Sequence, residues 1–127
     1  MLEHRSPDAA LRATNRTMRL HAIDAWVRDA SVLTDLERVR EILYAAAAAG
    51  GATVLGEQFC PFPNGAVTGV LVLAQSHLSI HTWPEFSLAN VDQLSYGDLR
   101  AEEVTRVVCD AFDVERATVT CIPRAVG

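Results

Sequence analysis

Apolar residues recur along this chain at two different periods, and the changes of period mark its elements. The segment MRLHAIDAWV, residues 18–27, alternates imperfectly and predicts a first strand. Thr34 and Glu37 in TDLE then form a capping-box pattern. Leu36, Val39, Leu43, Ala46 and Ala47 follow at helical spacing, and Gly50-Gly51 supplies a stop. Residues 52–59 predict a second strand, followed by the turn-rich loop CPFPNGA. The run VTGVLVLA, residues 67–74, is apolar at almost every position and predicts a strand buried on both faces. Residues 77–83 and 88–96 predict two more strands. A second helix is expected from near Asp98, with Glu102 and Glu103 in its first turn, where the helix dipole favours anions. Val104, Val107, Val108 and Phe112 give that helix an apolar face, and residues 114–122 close the chain as a strand stopped by Pro123. The order predicts a two-layer α/β sandwich, with one mostly antiparallel sheet covered by two helices. Residues 1–16 read as a flexible N-terminal tail and residues 17–127 as a single domain.

Composition narrows the function. The formal net charge is −5, which argues against a nucleic-acid partner, since such a protein needs a basic footprint. All 11 Lys and Arg residues are Arg. Without a lysine the chain cannot hold pyridoxal phosphate through a Schiff base. The three cysteines, Cys60, Cys109 and Cys121, form no CxxC pair and no metal-ligand spacing. The opening MLEHRSPDAALRATNR lacks the apolar region of a secretory leader, so a reduced, cytoplasmic protein is expected. The apolar stretch over residues 44–55 is too short to span a bilayer, and no membrane association is expected. His77 and His81 would form a metal pair on a helix, but Ile80, Thr82 and Pro84 argue for a strand and no third ligand is evident, so no metal is expected.

The chemistry is concentrated in GVLVLAQSHLSIHTWPEF, residues 69–86. Its segment SHLSIHTWPE, residues 76–85, resembles the processing-site signature of the prokaryotic S-adenosylmethionine decarboxylase proenzymes. The likeness extends more weakly over residues 20–97, through the helix ending in GGAT, a Phe-Pro loop and the V-D pair before a strand end. A run of this length is far more specific than a lone glycine motif. The resemblance implies self-cleavage between Gln75 and Ser76. The Ser76 hydroxyl attacks the Gln75 carbonyl and converts the peptide to an ester. Loss of the Ser76 α-proton expels the upstream carboxylate and leaves dehydroalanine, which tautomerises and takes up water to give a pyruvoyl group and ammonia. That keto group forms a Schiff base with a substrate amine and accepts electrons as carbon dioxide leaves, the work pyridoxal phosphate does elsewhere. The implied activity is decarboxylation of S-adenosylmethionine for spermidine biosynthesis. Two alternatives stand beside it: a pyruvoyl-dependent decarboxylase of another amino acid such as ornithine or arginine, and an uncleaved, non-catalytic homologue that binds a ligand or partner.

The resemblance also implies roles for individual residues. His81 is the base used in processing, and Thr68 supplies a hydroxyl that assists the cut. Phe62 stacks on adenine, and an aromatic face also suits a sulfonium cation. Glu85 binds ribose hydroxyls, while Trp83 reads as a packing residue. Two positions depart from the pattern: Gln75 stands where the family has Glu, and Tyr96 where it has the cysteine that donates a proton to the substrate α-carbon. A phenol has a pKa near 10 against about 8.5 for a thiol. Either Tyr96 is the acid or Cys60, in the loop beside Phe62, takes its place.

Geometry adds a condition. Ser76 and His81 are five residues apart, so on one straight strand they face opposite ways, roughly 16 Å apart. A tight turn around Gln75–His77 is therefore expected, with backbone strain stored there. Two helices also leave one sheet face uncovered, which predicts a homodimer. The resemblance implies that such dimers pack sheet to sheet and share their active sites.

Overall fold

The computed structural model describes residues 18–125, and the expected tail over residues 1–16 lies outside them. Six strands form one sheet: β1 (Met18–Val27), β2 (Val54–Pro61), β3 (Val67–Leu73), β4 (Ser76–Trp83), β5 (Leu88–Tyr96) and β6 (Val114–Pro123). Two helices, α1 (Leu36–Ala49) and α2 (Ala101–Ala111), and two short 3-10 turns, Ala30–Thr34 and Pro84–Phe86, complete the chain. The strand order is β2-β3-β4-β5-β1-β6, and every neighbouring pair is antiparallel. This is the two-layer sandwich that the order of elements predicts.

The core lies between the helices and one face of the sheet. Val39, Ile42 and Leu43 of α1 and Val104 and Val108 of α2 meet Ile23, Leu71, Leu78, Ile80 and Val91 from the strands, all essentially without solvent contact. Burial alternates along β1 and β5, as expected for strands with one face packed and one open. Strand β3 alternates in the same way: Val67, Gly69, Leu71 and Leu73 are buried, while Val72 is 48% exposed. The expected burial on both faces is therefore absent within one chain, because both helices pack on the same side. Gly69 is required there, since a Cβ would collide with the ring of Phe59, its cross-strand partner on β2.

Helix ends depart from the sequence reading by small, explicable amounts. Asp35, not Thr34, caps α1, its carboxylate accepting from the Arg38 N–H at 3.1 Å. The Thr34 hydroxyl is engaged in the preceding 3-10 turn, where it donates to the Ser31 carbonyl at 3.1 Å. Gly51 follows α1 with a φ of 81°, the left-handed conformation that glycine adopts without steric cost. Helix α2 begins at Ala101 rather than near Asp98, because the chain leaves β5 through Gly97 (φ 70°) and Arg100 is still extended. Arg100 ties this segment to the end of α1: its N–H donates to the Gly50 carbonyl at 3.0 Å and its guanidinium to the Ala49 carbonyl at 3.1 Å.

Candidate active site

The residues singled out in the sequence fall into two groups on opposite faces of β4. Ala74 and Gln75 make a two-residue turn closed by the pairing of Leu73 with Ser76. The turn thus precedes Ser76 instead of surrounding it, and β4 runs unbroken from Ser76 to Trp83. Ser76 shares the helix-facing side with Leu78, Ile80 and Thr82, whereas His81 faces the open side. One chain therefore does not bring Ser76 and His81 together. None of Ala74, Gln75 and Ser76 has a positive φ, so the expected strain is not present in left-handed form.

The first group surrounds a cavity of about 250 Å³ at one end of the sheet. Its walls are the α1–β2 connection with Thr53, the β3–β4 turn with Gln75 and Ser76, and the segment after β5 with Tyr96, Asp98 and Leu99. The Ala74 N–H donates to the Thr53 carbonyl at 2.9 Å and holds the turn against the first wall. Gly97 brings the third wall up to the Gln75 side chain at a φ that a larger residue adopts only with strain. The Ser76 hydroxyl is buried and has no hydrogen-bond partner. Tyr96 belongs by alternation to the open face of β5 and yet lines this cavity with Ser76.

The second group lies on the open face, where antiparallel register aligns Cys60, Thr68, His81, Asn90 and Asp24 across five strands. Thr68 Oγ1 lies 2.5 Å from His81 Nδ1. The His81 ring packs edge-on against Trp83 at 4.3 Å and Phe62 at 5.7 Å between centroids. Trp83 does more than pack: its indole N–H donates to Asn90 Oδ1 at 2.6 Å, and Asn90 Nδ2 donates to Asp24 Oδ1 at 2.8 Å. The imidazole is thus held by a hydroxyl on one ring nitrogen and by two aromatic walls. Glu85 is exposed in the 3-10 turn that follows β4. Cys60 belongs to this second group, away from the cavity that Tyr96 lines with Ser76. Of the other cysteines, Cys121 is exposed, and burial raises the Cys109 thiol above its usual range. Among the described residues there is no cluster of three or more His, Cys, Asp or Glu side chains able to hold a metal.

Four polar residues escaped the sequence reading. Asn90 and Asp24 were hidden because the pairing that joins them spans 66 residues. Gln93 and His21 are opposite each other on β5 and β1, on the helix-facing side. Gln93 is 0% exposed with both amide atoms unpartnered, and His21 is 7% exposed with Nδ1 unpartnered. Burial pushes the His21 pKa below the usual histidine range, against the opposing pull of Glu102. Their one sequence signal is a polar residue in the buried phase of an alternating strand.

The profile of the S-adenosylmethionine decarboxylase family matches residues 19–125. An S-adenosylmethionine decarboxylase proenzyme of Thermodesulfovibrio yellowstonii is 35% identical over 96 residues, covering 75% of this chain and 71% of that one. A proenzyme of the same name from Caldanaerobacter subterraneus subsp. tengcongensis is 36% identical over 99 residues, covering 77% and 80%. Another, from Symbiobacterium thermophilum, is 52% identical over a shorter 65 residues, 51% of this chain and 49% of that one. The crystal structure of the adenosylmethionine decarboxylase from Aquifex aeolicus superposes with a TM-score of 0.77 at 30% identity, over 87% of this chain and 93% of that one. Agreement of profile, relatives and backbone, across the sheet, both helices and the segment around Ser76, shows that this chain belongs to the S-adenosylmethionine decarboxylase family.

Proposed function

We propose that the protein is a self-processing, pyruvoyl-dependent decarboxylase of S-adenosylmethionine that cuts itself between Gln75 and Ser76. The observation that carries this reading is the Ser76 hydroxyl: buried, without a partner, at the exit of a two-residue turn and beside a cavity. A serine hydroxyl attacks an amide only where a base and donors are arranged around it. His81 with Thr68 is the base pair suited to that step, but within one chain it faces the other way. The working centre is therefore built from two copies. The open face carries exposed apolar side chains, Val72 and Ile122 among them, and this surface packs against the open face of a second copy. His81 and Thr68 of that second copy then meet Ser76 at the end of β4.

The residues lining the cavity fit the group that processing would leave at position 76. A ketone there has the buried, partnerless place of the Ser76 hydroxyl and the open volume beside it. When formed, the pyruvoyl group supplies an electron-withdrawing carbonyl for loss of the substrate carboxylate. Tyr96 holds a phenolic proton at the cavity wall, and the proton passes to the substrate α-carbon. Phe62 offers a ring face to the base and the sulfonium centre, and Glu85 accepts from ribose hydroxyls. Cys60 stands in register with Thr68 and His81, so the second copy brings it to the same centre, and it is the alternative acid. A second reading follows from the size of Tyr96: a ring in the cavity wall narrows it toward a smaller amino acid such as ornithine. Decarboxylation assays with both substrates, on wild type and Tyr96→Cys, separate the two. Release of carbon dioxide from S-adenosylmethionine by the wild type supports the first reading; release from ornithine alone supports the second.

A further inference from the structure

Behind Ser76, between the sheet and α2, lies a polar station that neither the motif nor the open-face residues account for. Gln93 pairs with Leu78 on β4, which places it diagonally across from Ser76 on the same face. His21 is its direct partner on β1. Direct cross-strand partners have Cβ atoms about 4.5–5.5 Å apart, and diagonal ones about 7–8 Å, within reach of a long side chain. Ser95 shares this face but is already engaged, its hydroxyl donating to the Arg19 carbonyl at 3.2 Å. That leaves four buried polar atoms without partners: His21 Nδ1, Gln93 Nε2, Gln93 Oε1 and Ser76 Oγ. Buried polar groups are almost always hydrogen-bonded, and an internal water commonly makes about three such bonds.

We infer that Gln93 holds an internal water that hydrogen-bonds the Ser76 hydroxyl and sets its direction of attack on the Gln75 carbonyl. Gln93 is then a positioning residue for self-cleavage. Its amide N–H groups and carbonyl serve the water. The Ser76 proton itself still leaves to a base, so no co-reactant is required beyond the processing reading on which this inference rests. A serine hydroxyl free to rotate spends most of its time aimed away from the carbonyl, and misplacement of about 1 Å typically costs about 10²-fold in rate.

The test is the half-time of self-cleavage after rapid refolding of wild type, Gln93→Met and Gln93→Glu, followed by denaturing electrophoresis. Urea unfolding of each variant in a Ser76→Ala background reports the fold of the uncut chain. Met keeps the length of Gln without its polar atoms, and Glu keeps an acceptor. The expected result is cleavage slowed about 10²-fold in Gln93→Met, at an unfolding midpoint equal to or above that of Ser76→Ala alone, with a smaller but measurable slowing, of up to about tenfold, in Gln93→Glu. An amide buried without a role gives the contrary pattern: Gln93→Met keeps or gains stability and cuts at the wild-type rate. That result overturns the station and leaves the cleavage reading intact. Should Gln93→Met fail to refold, Gln93→Glu decides: a half-time unchanged from wild type when the amide donors are gone overturns the inference, and slowing supports it. A wild-type chain that never cuts overturns the cleavage reading and this inference with it.

Discussion

The two faces of β4 differ in how their polar groups are satisfied. On the open face every member of the row is engaged: Thr68 with His81, Trp83 with Asn90, Asn90 with Asp24. On the helix face Ser76, Gln93 and His21 are buried and unpaired. The first is a completed network of side chains. The second is unfinished, and an unpaired buried polar group costs about 1–3 kcal/mol. Such a cost is retained where chemistry needs it. On the proposed function, the contrast puts Ser76 on the side lacking partners and His81 on a face that a second copy could present.

The sharpest way to break that division is complementation. Neither Ser76→Ala nor His81→Ala is expected to cut alone, the first for want of a nucleophile and the second slowed about 10²–10⁴-fold for want of a base. Coexpressed, the two are expected to form mixed dimers in which the intact Ser76 of one chain meets the intact His81 of the other. Appearance of the two fragments from the His81→Ala chain is expected on denaturing gels. Its absence, in mixed dimers verified by mass, would place both residues in one chain and end the shared centre.

Tyr96 tests the cavity side alone. Tyr96→Phe should process at the wild-type rate and then lose about 10²–10⁴-fold in turnover, because only the phenolic proton is missing. Near-neutral kinetics would return Tyr96 to the wall and leave the acid to another group.

The core on the helix-facing side sets a smaller effect. Leu71→Ala, at a position without solvent contact, should lower unfolding stability by about 2–5 kcal/mol in urea titration. Val72→Ala, next to it on the open face, should cost less in dilute monomer and more where dimers form. Equal losses at every concentration would deny the open face a partner.

The smallest expected effect is a pH dependence from the helix face. Burial lowers the His21 pKa, with Arg19 acting the same way and Glu102 opposing. The unfolded chain therefore takes up this proton near the ordinary pKa of 6.5, before the folded chain does. Stability on this account has its full value above pH 6.5 and falls as pH drops toward the lower folded pKa. His21→Gln should flatten that part of the curve in thermal melts at pH 5 to 8, about the range over which histidine titrates.

Much of this fold was legible from local pattern. Strand β5 runs from Leu88 to Tyr96 as its alternation indicates, and Leu36, Val39, Leu43, Ala46 and Ala47 mark the packed face of α1. What stayed hidden was non-local. The apolar outer residues of β3 suggested a second layer, and no single-chain pattern distinguishes a helix of the same chain from the sheet of another copy. The cap of α1 fell on Asp35 because the preceding 3-10 turn competes for the Thr34 hydroxyl. The motif around Ser76 singled out the candidate residues, and alternation put Ser76 and His81 on opposite faces. The expected turn lay one step too late to reconcile them, since pairing of Leu73 with Ser76 leaves only Ala74 and Gln75 free. Asn90, Asp24, Gln93 and His21 join the site through register alone.

Intact-mass spectrometry of freshly purified wild type beside Ser76→Ala tests the central claim most directly. The expected result is two wild-type products, residues 1–75 and residues 76–127, the second lighter than its sequence by one ammonia, with Ser76→Ala remaining a single chain. A wild-type protein that stays one uncut chain through prolonged incubation as a dimer would contradict it.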